Sequence, residues 1–326
     1  MAADPGSYVP GGPFGGVPRA MEVDAAAFRA STLRSMSSIE VTVFSDPGCP
    51  WGYSDEPMIR VLRWRYADQL SYRLVMIGLT ERHEQYVERG YTPLTMAHAY
   101  MRFRDTYGMP FSITPRARVA ATSLACRAVV AARLTQPGRE WDVFRALQYA
   151  WFTTPLVLDE ADAIATALGP VPGLDVQAIV SRLESAEVVA AYEADRAESR
   201  TAAGSPSDMQ GKTAQSDGPV RYTAASLIFE KDGKRLEAGG FQPVQVYDNC
   251  VANLDPTLRR LAPPETPLPL LERFRDGLTT IEIAFLLAQG NDAPDTFAAE
   301  RALLELVFAG RATRTQLGND AVWRLA

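Results

Sequence analysis

The stretch that decides the fold is residues 39–53, IEVTVFSDPGCPWGY. Its first six residues alternate apolar and polar side chains, which predicts a half-buried β-strand over Ile39–Phe44. The Ser45–Gly48 segment is rich in turn-forming residues, and Cys49 follows it directly. Pro50 suits the first position of a helix, because its ring fixes φ and its missing N–H would have no partner there. The stretch therefore predicts a strand, a turn that carries a cysteine, and a helix that begins immediately afterwards.

The residues that follow predict a β-α-β unit. A helix is expected from Pro50 to Ala67, with a kink near Pro57, and a second strand is expected over Tyr72–Ile77. Strands joined by a single crossover helix lie parallel in one sheet. The fold class is therefore α/β.

The middle of the chain predicts an all-helical insertion in this sheet domain. Apolar residues recur at spacings of three and four between about residues 95 and 200, and Pro and Gly separate the segments. The first long helix of this insertion is expected to begin at Arg116. The sheet resumes at Val220–Glu230, where Asp232-Gly233 predicts a tight turn into a returning strand at Lys234–Ala238.

The chain is expected to divide into four parts. Its 326 residues exceed the roughly 250–300 at which a single hydrophobic core stops growing. Residues 1–38 include a stretch rich in Gly and Pro and predict a flexible extension. After a helix expected at Gln242–Leu254, five prolines predict a stiff linker. The parts are the extension, a sheet domain at 39–254, a linker at 255–271 and a C-terminal unit at 272–326.

The C-terminal unit shows two helical segments followed by two short strand-like runs, an order that resembles a winged helix. Residues 273–326 hold six Arg and no Lys against seven acidic residues, whereas a domain that reads a DNA groove needs a basic surface. A structural or partner-docking role is therefore favoured over DNA binding.

Composition excludes several classes of function. The formal net charge is −6 and 47% of the residues are hydrophobic, so the totals favour a globular protein and do not predict a nucleic-acid partner. No run approaches the roughly 18 apolar residues of a membrane span, and no secretory signal pattern opens the chain, so a cytoplasmic protein without a membrane partner is expected. The cysteines are odd in number and far apart, which is typical of neither a disulfide scaffold nor a zinc site.

Cys49 is the candidate nucleophile. A thiol at a helix N-terminus lies in the positive end of the helix dipole and near unpaired N–H groups, both of which favour the thiolate. A pKa well below about 8.5 is therefore expected for Cys49. Cys126 lies on an Ala/Val-rich helical segment, and both Cys126 and Cys250 are expected to be small buried side chains.

The segment from Ser45 to Tyr53 resembles the active-site turn of the DsbA family, in which a strand ends in Asp-x-x-Cys-Pro-Trp-Cys-Tyr. The resemblance extends over residues 39–254, because a helical insertion, a strand-turn-strand and a helix opened by Gly239–Pro243 follow in that family's order. It implies a thioredoxin-like fold and thiol chemistry at Cys49. The same superfamily includes FrnE-like proteins, 2-hydroxychromene-2-carboxylate isomerases and kappa-type glutathione transferases.

Two positions depart from the family pattern. Gly52 replaces the second cysteine, so a dithiol cycle cannot run within the motif and an external low-molecular-weight thiol would have to resolve a mixed disulfide. Ala225 stands where the family places a cis-proline opposite the cysteine, so the peptide bond from Ala224 is either trans or held cis by its surroundings. Thr223, Ala224 and Ala225 are expected to form the loop that docks the substrate.

Further residues are candidates for substrate binding. Pro50, Trp51, Gly52 and Tyr53 surround the thiol, and the two aromatic side chains are expected to line a flat pocket. Arg116 and Arg118 are expected to bind a carboxylate, such as that of a glutathione- or mycothiol-like cosubstrate. No motif predicts a metal or a tightly bound cofactor.

Three functions remain open from the sequence. The first is a monothiol oxidoreductase that acts on a mixed disulfide, with Cys49 as its nucleophile. The second is a thiol-dependent isomerase or transferase for a small aromatic or polyketide-like molecule, which would need an apolar cavity between the sheet and the insertion. The third is a non-catalytic thioredoxin-like binding protein that docks through its C-terminal unit. A homodimer is an additional expectation.

Overall fold

The strand, turn and helix expected around Cys49 lie at the centre of the sheet domain. The computed structural model describes residues 38–326, and the prediction of a flexible extension falls largely outside them. The strands are β1 (Ile39–Ser45), β2 (Leu70–Met76), β3 (Thr213–Ala214), β4 (Arg221–Tyr222), β5 (Ser226–Lys231), β6 (Lys234–Ala238), β7 (Leu278–Thr279), β8 (Ala312–Leu317) and β9 (Asp320–Leu325). The helices are α1 (Pro50–Ser54), α2 (Glu56–Tyr66), α3 (Glu84–Glu88), α4 (Pro93–Tyr107), α5 (Ser123–Thr135), α6 (Glu140–Thr153), α7 (Ala161–Leu168), α8 (Val176–Val180), α9 (Ala186–Ser199), α10 (Pro206–Met209), α11 (Val244–Leu254), α12 (Leu268–Arg273), α13 (Thr280–Leu287) and α14 (Thr296–Phe308).

A four-stranded sheet in the order β2-β1-β5-β6 confirms the α/β prediction. β1 pairs in parallel with β2 and antiparallel with β5, with Val41 opposite Tyr72 and Val43 opposite Leu227. The hairpin between β5 and β6 turns at Asp232 and Gly233, whose φ values of 50° and 75° suit a type I′ turn. The side chains of β1 are buried apart from Glu40, so this strand forms part of the core.

The helix after Cys49 is broken rather than kinked. α1 ends at Ser54 and α2 begins at Glu56, so the single helix predicted from Pro50 to Ala67 is wrong in this respect. Pro57 explains the break, because it has no N–H to donate to the carbonyl of Tyr53 and its ring clashes with that carbonyl in a continuous helix.

The insertion is helical as predicted, but its first long helix is α4, and the helix expected to begin at Arg116 starts later. α5 begins at Ser123, and Arg116 and Arg118 lie in the preceding loop. Acceptors outside a helix take the backbone N–H groups of this loop: Ala121 donates to Asp159 at 2.9 Å and Thr122 to the Thr80 carbonyl at 3.2 Å. A helix beginning at Arg116 would have to give up these bonds.

The C-terminal residues form a small α+β layer. A three-stranded antiparallel sheet in the order β7-β9-β8 packs with α13 and α14. Residues 38–326 cluster as one compact unit, and α12 begins at Leu268, inside the stretch expected to be a linker. The domain boundaries and the winged-helix assignment stay predictions.

A buried cluster of charged side chains joins the C-terminal residues to the sheet domain. Arg145 on α6 donates to Glu282 on α13 at 2.6 Å, and its Nε lies 3.4 Å from Asp276. Arg60 on α2 pairs with Asp276 and lies 3.7 Å from Glu282. Glu56 completes the cluster, 3.7 Å from Arg145. Two arginines of the sheet domain therefore form ion pairs with three carboxylates, and two of these carboxylates belong to the C-terminal residues.

Asp276→Asn is expected to make stability less sensitive to acid. Burial acts to raise the pKa of Asp276, but Arg60 and Arg145 outweigh it and lower that pKa to about 2. A carboxylate whose folded pKa lies below its unfolded value of about 3.9 stabilises the fold above that value and loses this contribution as the pH falls towards the folded pKa. The difference in unfolding free energy between the wild type and Asp276→Asn should therefore shrink between pH 4 and pH 2, as measured by urea denaturation. A difference independent of pH would contradict this assignment.

Candidate active site

Cys49 lies at the N-cap of α1, directly after the turn that ends β1. Its backbone N–H donates to the Asp46 carbonyl at 3.1 Å, which closes the turn, and Pro50 occupies the first helical position. Only 7% of Cys49 is exposed, because the thiol packs in a small apolar cluster with side chains that include Phe44, Ile77 and Tyr222. The cysteine of the resembled motif therefore lies at a helix N-cap, as predicted, and is nearly covered.

The loop before β5 faces the thiol. Cys49 Sγ lies 3.9 Å from the carbonyl oxygen of Ala224, and the peptide bond between Ala224 and Ala225 is cis. Thr223 donates its hydroxyl to the Lys212 carbonyl at 3.0 Å, which ties the loop to β3 and its neighbours. Of the two forms that the sequence left open for this peptide bond, the structure has the cis form.

The expected low pKa of Cys49 is wrong. Burial raises the pKa of the thiol to about 11, and the charge of Asp46 adds to this effect. The backbone N–H groups of Gly52 and Trp51 favour the thiolate, as the helix N-terminus predicts, and so does the guanidinium of Arg221. These groups do not outweigh desolvation, and α1 has only five residues, so its dipole is small.

Asp46 is a buried acid of this site whose importance the sequence does not reveal. Its carboxylate accepts hydrogen bonds from the backbone N–H groups of Gly48 and Leu79 at 2.8 and 2.9 Å and from the Thr122 hydroxyl at 2.8 Å. Burial raises its pKa despite these bonds. Its place three residues before Cys49 was the available signal, but two of its partners, Leu79 and Thr122, are distant in the sequence.

The two other cysteines are buried, as expected from their apolar contexts. Cys126 donates its thiol to Asp46 at 3.4 Å, so it lies against the same carboxylate that accepts from the active-site turn. Cys250 is 8% exposed, and burial raises its pKa to about 11. All three thiols are free. Cys250 is therefore about as exposed as Cys49, and burial raises the pKa of both thiols, but Cys250 lies on α11, outside the motif.

Gly52 occupies the place of the missing second cysteine, and Ser45 fills the adjacent space. A Cβ atom built on Gly52 would lie only 2.7 Å from Ser45 Oγ, closer than side-chain contacts allow. The same atom would lie 3.9 Å from Cys49 Cβ and 3.5 Å from Ala224 Cβ. Of these three neighbours, only the Ser45 hydroxyl lies closer to the Cβ atom than van der Waals contact allows.

The two aromatic residues of the motif have different environments. Trp51 is 44% exposed and contacts Phe103, Tyr107 and Phe241, with ring centroids 4.9 to 6.0 Å apart. Tyr53 is fully buried, stacks on Phe152 and donates to the Pro110 carbonyl, so its expected place in a substrate pocket is wrong. Trp51 and its three neighbours form an aromatic surface beside the thiol.

The predicted carboxylate-binding arginines already have partners. Arg118 forms a bidentate pair with Asp159 and also contacts Glu160 at 2.9 Å. Arg116 donates to the Thr154 carbonyl and lies near the Tyr100 and Trp151 rings. Arg118 is therefore unsuited to bind a further carboxylate, while Arg116 has no carboxylate partner in the described chain.

The cavity next to the active-site turn is small. It has a volume of about 30 Å³, roughly the space of one water molecule, and is lined by Gly48, Tyr86, Tyr100, Arg116 and Trp151 among others. An aromatic substrate needs several hundred Å³. This geometry gives no support to the isomerase or transferase alternative.

Two classes of feature are absent from residues 38–326. No group of three or more His, Cys, Asp or Glu side chains in this range is arranged to hold a metal ion. No helix in the same range is long and apolar enough to cross a membrane.

Comparison with known proteins supports the fold. No protein-family model and no curated protein sequence matches the chain. A candidate protein disulfide isomerase from Nitrosomonas europaea matches with a TM-score of 0.51 at 17% identity, covering 67% of this chain and 97% of that one. The cytosolic disulfide reductase DsbM from Pseudomonas aeruginosa gives a TM-score of 0.45 at 16% identity over 67% and 98% of the two chains. A candidate DsbA oxidoreductase from Streptomyces coelicolor gives 0.49 at 14% identity over 69% and 93%. At these identities the comparison shows the fold alone: the chain shares the fold of the Nitrosomonas europaea protein, in agreement with the thioredoxin-like fold that the sequence resemblance implies.

Proposed function

We propose that the chain is a monothiol, thiol-dependent oxidoreductase that exchanges a low-molecular-weight thiol with a mixed-disulfide substrate. The observation that carries the proposal is the position of Cys49 at the N-cap of α1, facing the Ala224 carbonyl, with Gly52 in place of a second sulfur. In a thioredoxin-like fold this position is the one from which a thiol attacks a disulfide.

The reaction consists of two exchanges that balance. In the first, the Cys49 thiolate attacks the glutathione sulfur of a substrate–glutathione disulfide. The S–S bond breaks, the substrate leaves as a thiolate, and Cys49 holds glutathione in a mixed disulfide. In the second, a free glutathione thiolate attacks the bound glutathione sulfur, which releases Cys49 as a thiolate and forms glutathione disulfide. The net change is that the substrate sulfur is reduced to a thiol and the free glutathione is oxidised.

The raised pKa of Cys49 determines the kinetics of both exchanges. With a pKa of about 11, the thiolate is a small fraction of Cys49 at neutral pH, so the first exchange is slow there. A thiol of high pKa is also a poor leaving group, so the second exchange is slow as well. The mixed disulfide on Cys49 should therefore be a long-lived species.

The surface around the thiol supports an elongated thiol or peptide rather than an enclosed small molecule. The aromatic surface of Trp51 and its neighbours begins two residues after Cys49, and the carbonyl oxygen of Ala224 lies 3.9 Å from Cys49 Sγ. Aromatic side chains that remain partly exposed are suited to hold apolar parts of a partner. Arg116 remains the candidate for a carboxylate of a glutathione- or mycothiol-like cosubstrate.

A second candidate function is a non-catalytic binding protein. The burial of Cys49 favours it, since a thiol that is 7% exposed is hard for a substrate disulfide to reach. In that case the C-terminal unit, proposed to be winged-helix-like, would dock the partner. Cytoplasmic location and homodimer formation are proposals common to both candidates.

Glutathionylation should distinguish the two candidates, with Cys250 as an internal control. Both thiols are almost equally buried and both have a pKa of about 11, so unassisted chemistry should modify them at similar rates. If Cys49 is the nucleophile, glutathione disulfide should modify it at least about tenfold faster than Cys250, with a rate that rises about tenfold for each pH unit from pH 7 to pH 10.

Peptide mass spectrometry after timed quenching measures both rates in one sample. Cys49→Ser should abolish the fast modification and leave that of Cys250 unchanged, whereas Cys250→Ser should leave the fast modification intact. Equal rates at the two sites, or no modification of Cys49, would refute the proposed function and favour the binding protein.

A further inference from the structure

A cleft of about 360 Å³ lies far from the thiol, between α2, α6 and the residues after α12. Its lining includes Arg63, Tyr72 and Trp141. Cys49 follows the carboxyl end of β1, whereas Tyr72 lies near the start of the parallel strand β2. The cleft therefore lies at the end of these strands opposite to Cys49. A ligand bound there would not contact the thiol. Its volume is in the range of ligand-binding pockets.

Arg63 lies in this cleft between two aromatic rings and has no acidic partner among the described residues. Its guanidinium carbon is 4.0 Å from the centroid of the Trp141 ring and 4.7 Å from that of Tyr72. Burial, together with the positive charge of Arg60, lowers the pKa of Arg63, although the carboxylates of Glu56 and Asp276 act in the opposite direction without forming an ion pair with it. The two rings hold the planar group in one orientation, as in sites that bind planar anions.

The other arginines that line the cleft are paired. Arg60 and Arg145 contact Asp276 and Glu282 in the buried cluster described above, and Arg273 contacts Asp68 at 2.9 Å. Among the acids of the lining, Asp142 pairs with Arg139, Glu56 lies near Arg145, and Asp276 contacts Arg60. Arg63 is thus the cation of the lining to which the structure gives no ion pair.

Two polar atoms at this position, one in the Arg63 guanidinium and one on the neighbouring Tyr72 ring, have no hydrogen-bond partner among the described residues. Arg63 Nε and the Tyr72 hydroxyl are both buried and form no hydrogen bond within the described chain. Buried polar groups in native proteins are hydrogen-bonded in the large majority of cases. Both atoms are donors, so the missing partner is an acceptor, and the cationic group beside them favours one that is negatively charged.

We propose that the cleft binds a small oxyanion, carried by a phosphate or carboxylate group, on Arg63 and the Tyr72 hydroxyl. The guanidinium supplies the charge and a planar pair of donors, and the hydroxyl supplies a second direction of hydrogen bonding. The Trp141 ring, 4.0 Å from the guanidinium carbon, lines the same cleft. The ligand would thereby contact the sheet domain and the insertion, next to the C-terminal residues.

Isothermal titration with inorganic phosphate, and separately with succinate, tests this site in the full chain at constant ionic strength set with chloride. Wild-type protein should bind at least one of the two anions, and Arg63→Gln should weaken that binding by at least about tenfold. Tyr72→Phe removes only the hydroxyl and should weaken it by several-fold. Arg102→Gln, the same charge change at an exposed position on α4, should bind as the wild type does.

Comparing the affinities for phosphate and succinate shows whether the natural ligand carries a phosphate or a carboxylate group. If neither anion binds the wild type, or if both Arg63→Gln and Tyr72→Phe bind as tightly as the wild type, the proposal is wrong. Tyr72→Phe keeps the ring beside Arg63, so it serves as the test if Arg63→Gln does not fold.

Discussion

Gly52→Cys combined with Ser45→Ala is expected to allow a disulfide between Cys49 and the sulfur introduced at position 52. A Cβ atom at position 52 would lie 3.9 Å from Cys49 Cβ, within the roughly 3.5–4.5 Å found across disulfides. The atom that obstructs this side chain is Ser45 Oγ, at 2.7 Å, and Ser45→Ala removes it. The two other neighbours of the new Cβ atom, Ala224 Cβ at 3.5 Å and Cys49 Cβ at 3.9 Å, lie at ordinary van der Waals distances.

The double variant should therefore resolve its own mixed disulfides. A tethered thiol acts at an effective concentration of about millimolar or above, so the introduced thiol should outpace micromolar external thiol by about 10³-fold. Single-turnover release of glutathione from glutathionylated Cys49 measures this rate, and mass spectrometry of the oxidised protein detects the disulfide by the loss of two hydrogens.

Two controls separate geometry from the mere presence of a thiol. Gly52→Cys alone keeps the Ser45 hydroxyl and should form the disulfide much less readily, because the side chain must displace a buried atom. The double variant carrying Cys49→Ser should form no disulfide at this site. Two results would contradict this prediction: the double variant fails to form the disulfide, or the single variant forms it equally well. Either would show that the Ser45 hydroxyl is not what prevents a second sulfur at position 52.

The sequence predicted those features that depend on neighbouring residues. The alternation over Ile39–Phe44, the turn before Cys49 and the Asp232-Gly233 hairpin each act within a few residues, and all three have the expected conformation. The helical insertion was predictable for the same reason. The order of elements in the resembled family also located the loop of Ala224 and Ala225 opposite the thiol.

Features that depend on tertiary contacts were not predictable from local patterns. The pKa of Cys49 is raised by burial against residues such as Ile77 and Tyr222, which are distant in the sequence. Arg118 is paired with Asp159 across a loop, which no spacing rule indicates. The partners of Asp46 likewise come from two other segments, so the sequence alone could not show that its carboxylate organises the turn.

Glu282→Ala is expected to destabilise the whole described chain by about 3–5 kcal/mol, the effect of removing one partner from a buried ion pair. Glu282 is 0% exposed and accepts from Arg145 at 2.6 Å and from the backbone N–H of Thr279 at 2.7 Å. It therefore compensates a buried guanidinium and caps α13 with the same carboxylate. Alanine can do neither, so Arg145 would lose its shortest carboxylate contact and keep only Asp276 at 3.4 Å and Glu56 at 3.7 Å, and the N–H group of Thr279 would lose its acceptor.

Urea denaturation of Glu282→Ala and of Glu305→Ala, a control at an exposed position on α14, measures this effect. The control should change the unfolding free energy by less than about 0.5 kcal/mol. A similarly small change for Glu282→Ala would contradict the role of the buried cluster.

The number of unfolding transitions in the same experiment shows whether the two parts of the chain unfold together. Arg60 and Arg145 belong to the sheet domain, whereas Asp276 and Glu282 belong to the C-terminal residues, so the cluster couples the folding of these two parts. A single transition in the wild type that separates into two in Glu282→Ala would show that residues 272–326 are a distinct unit held to the sheet domain through this cluster.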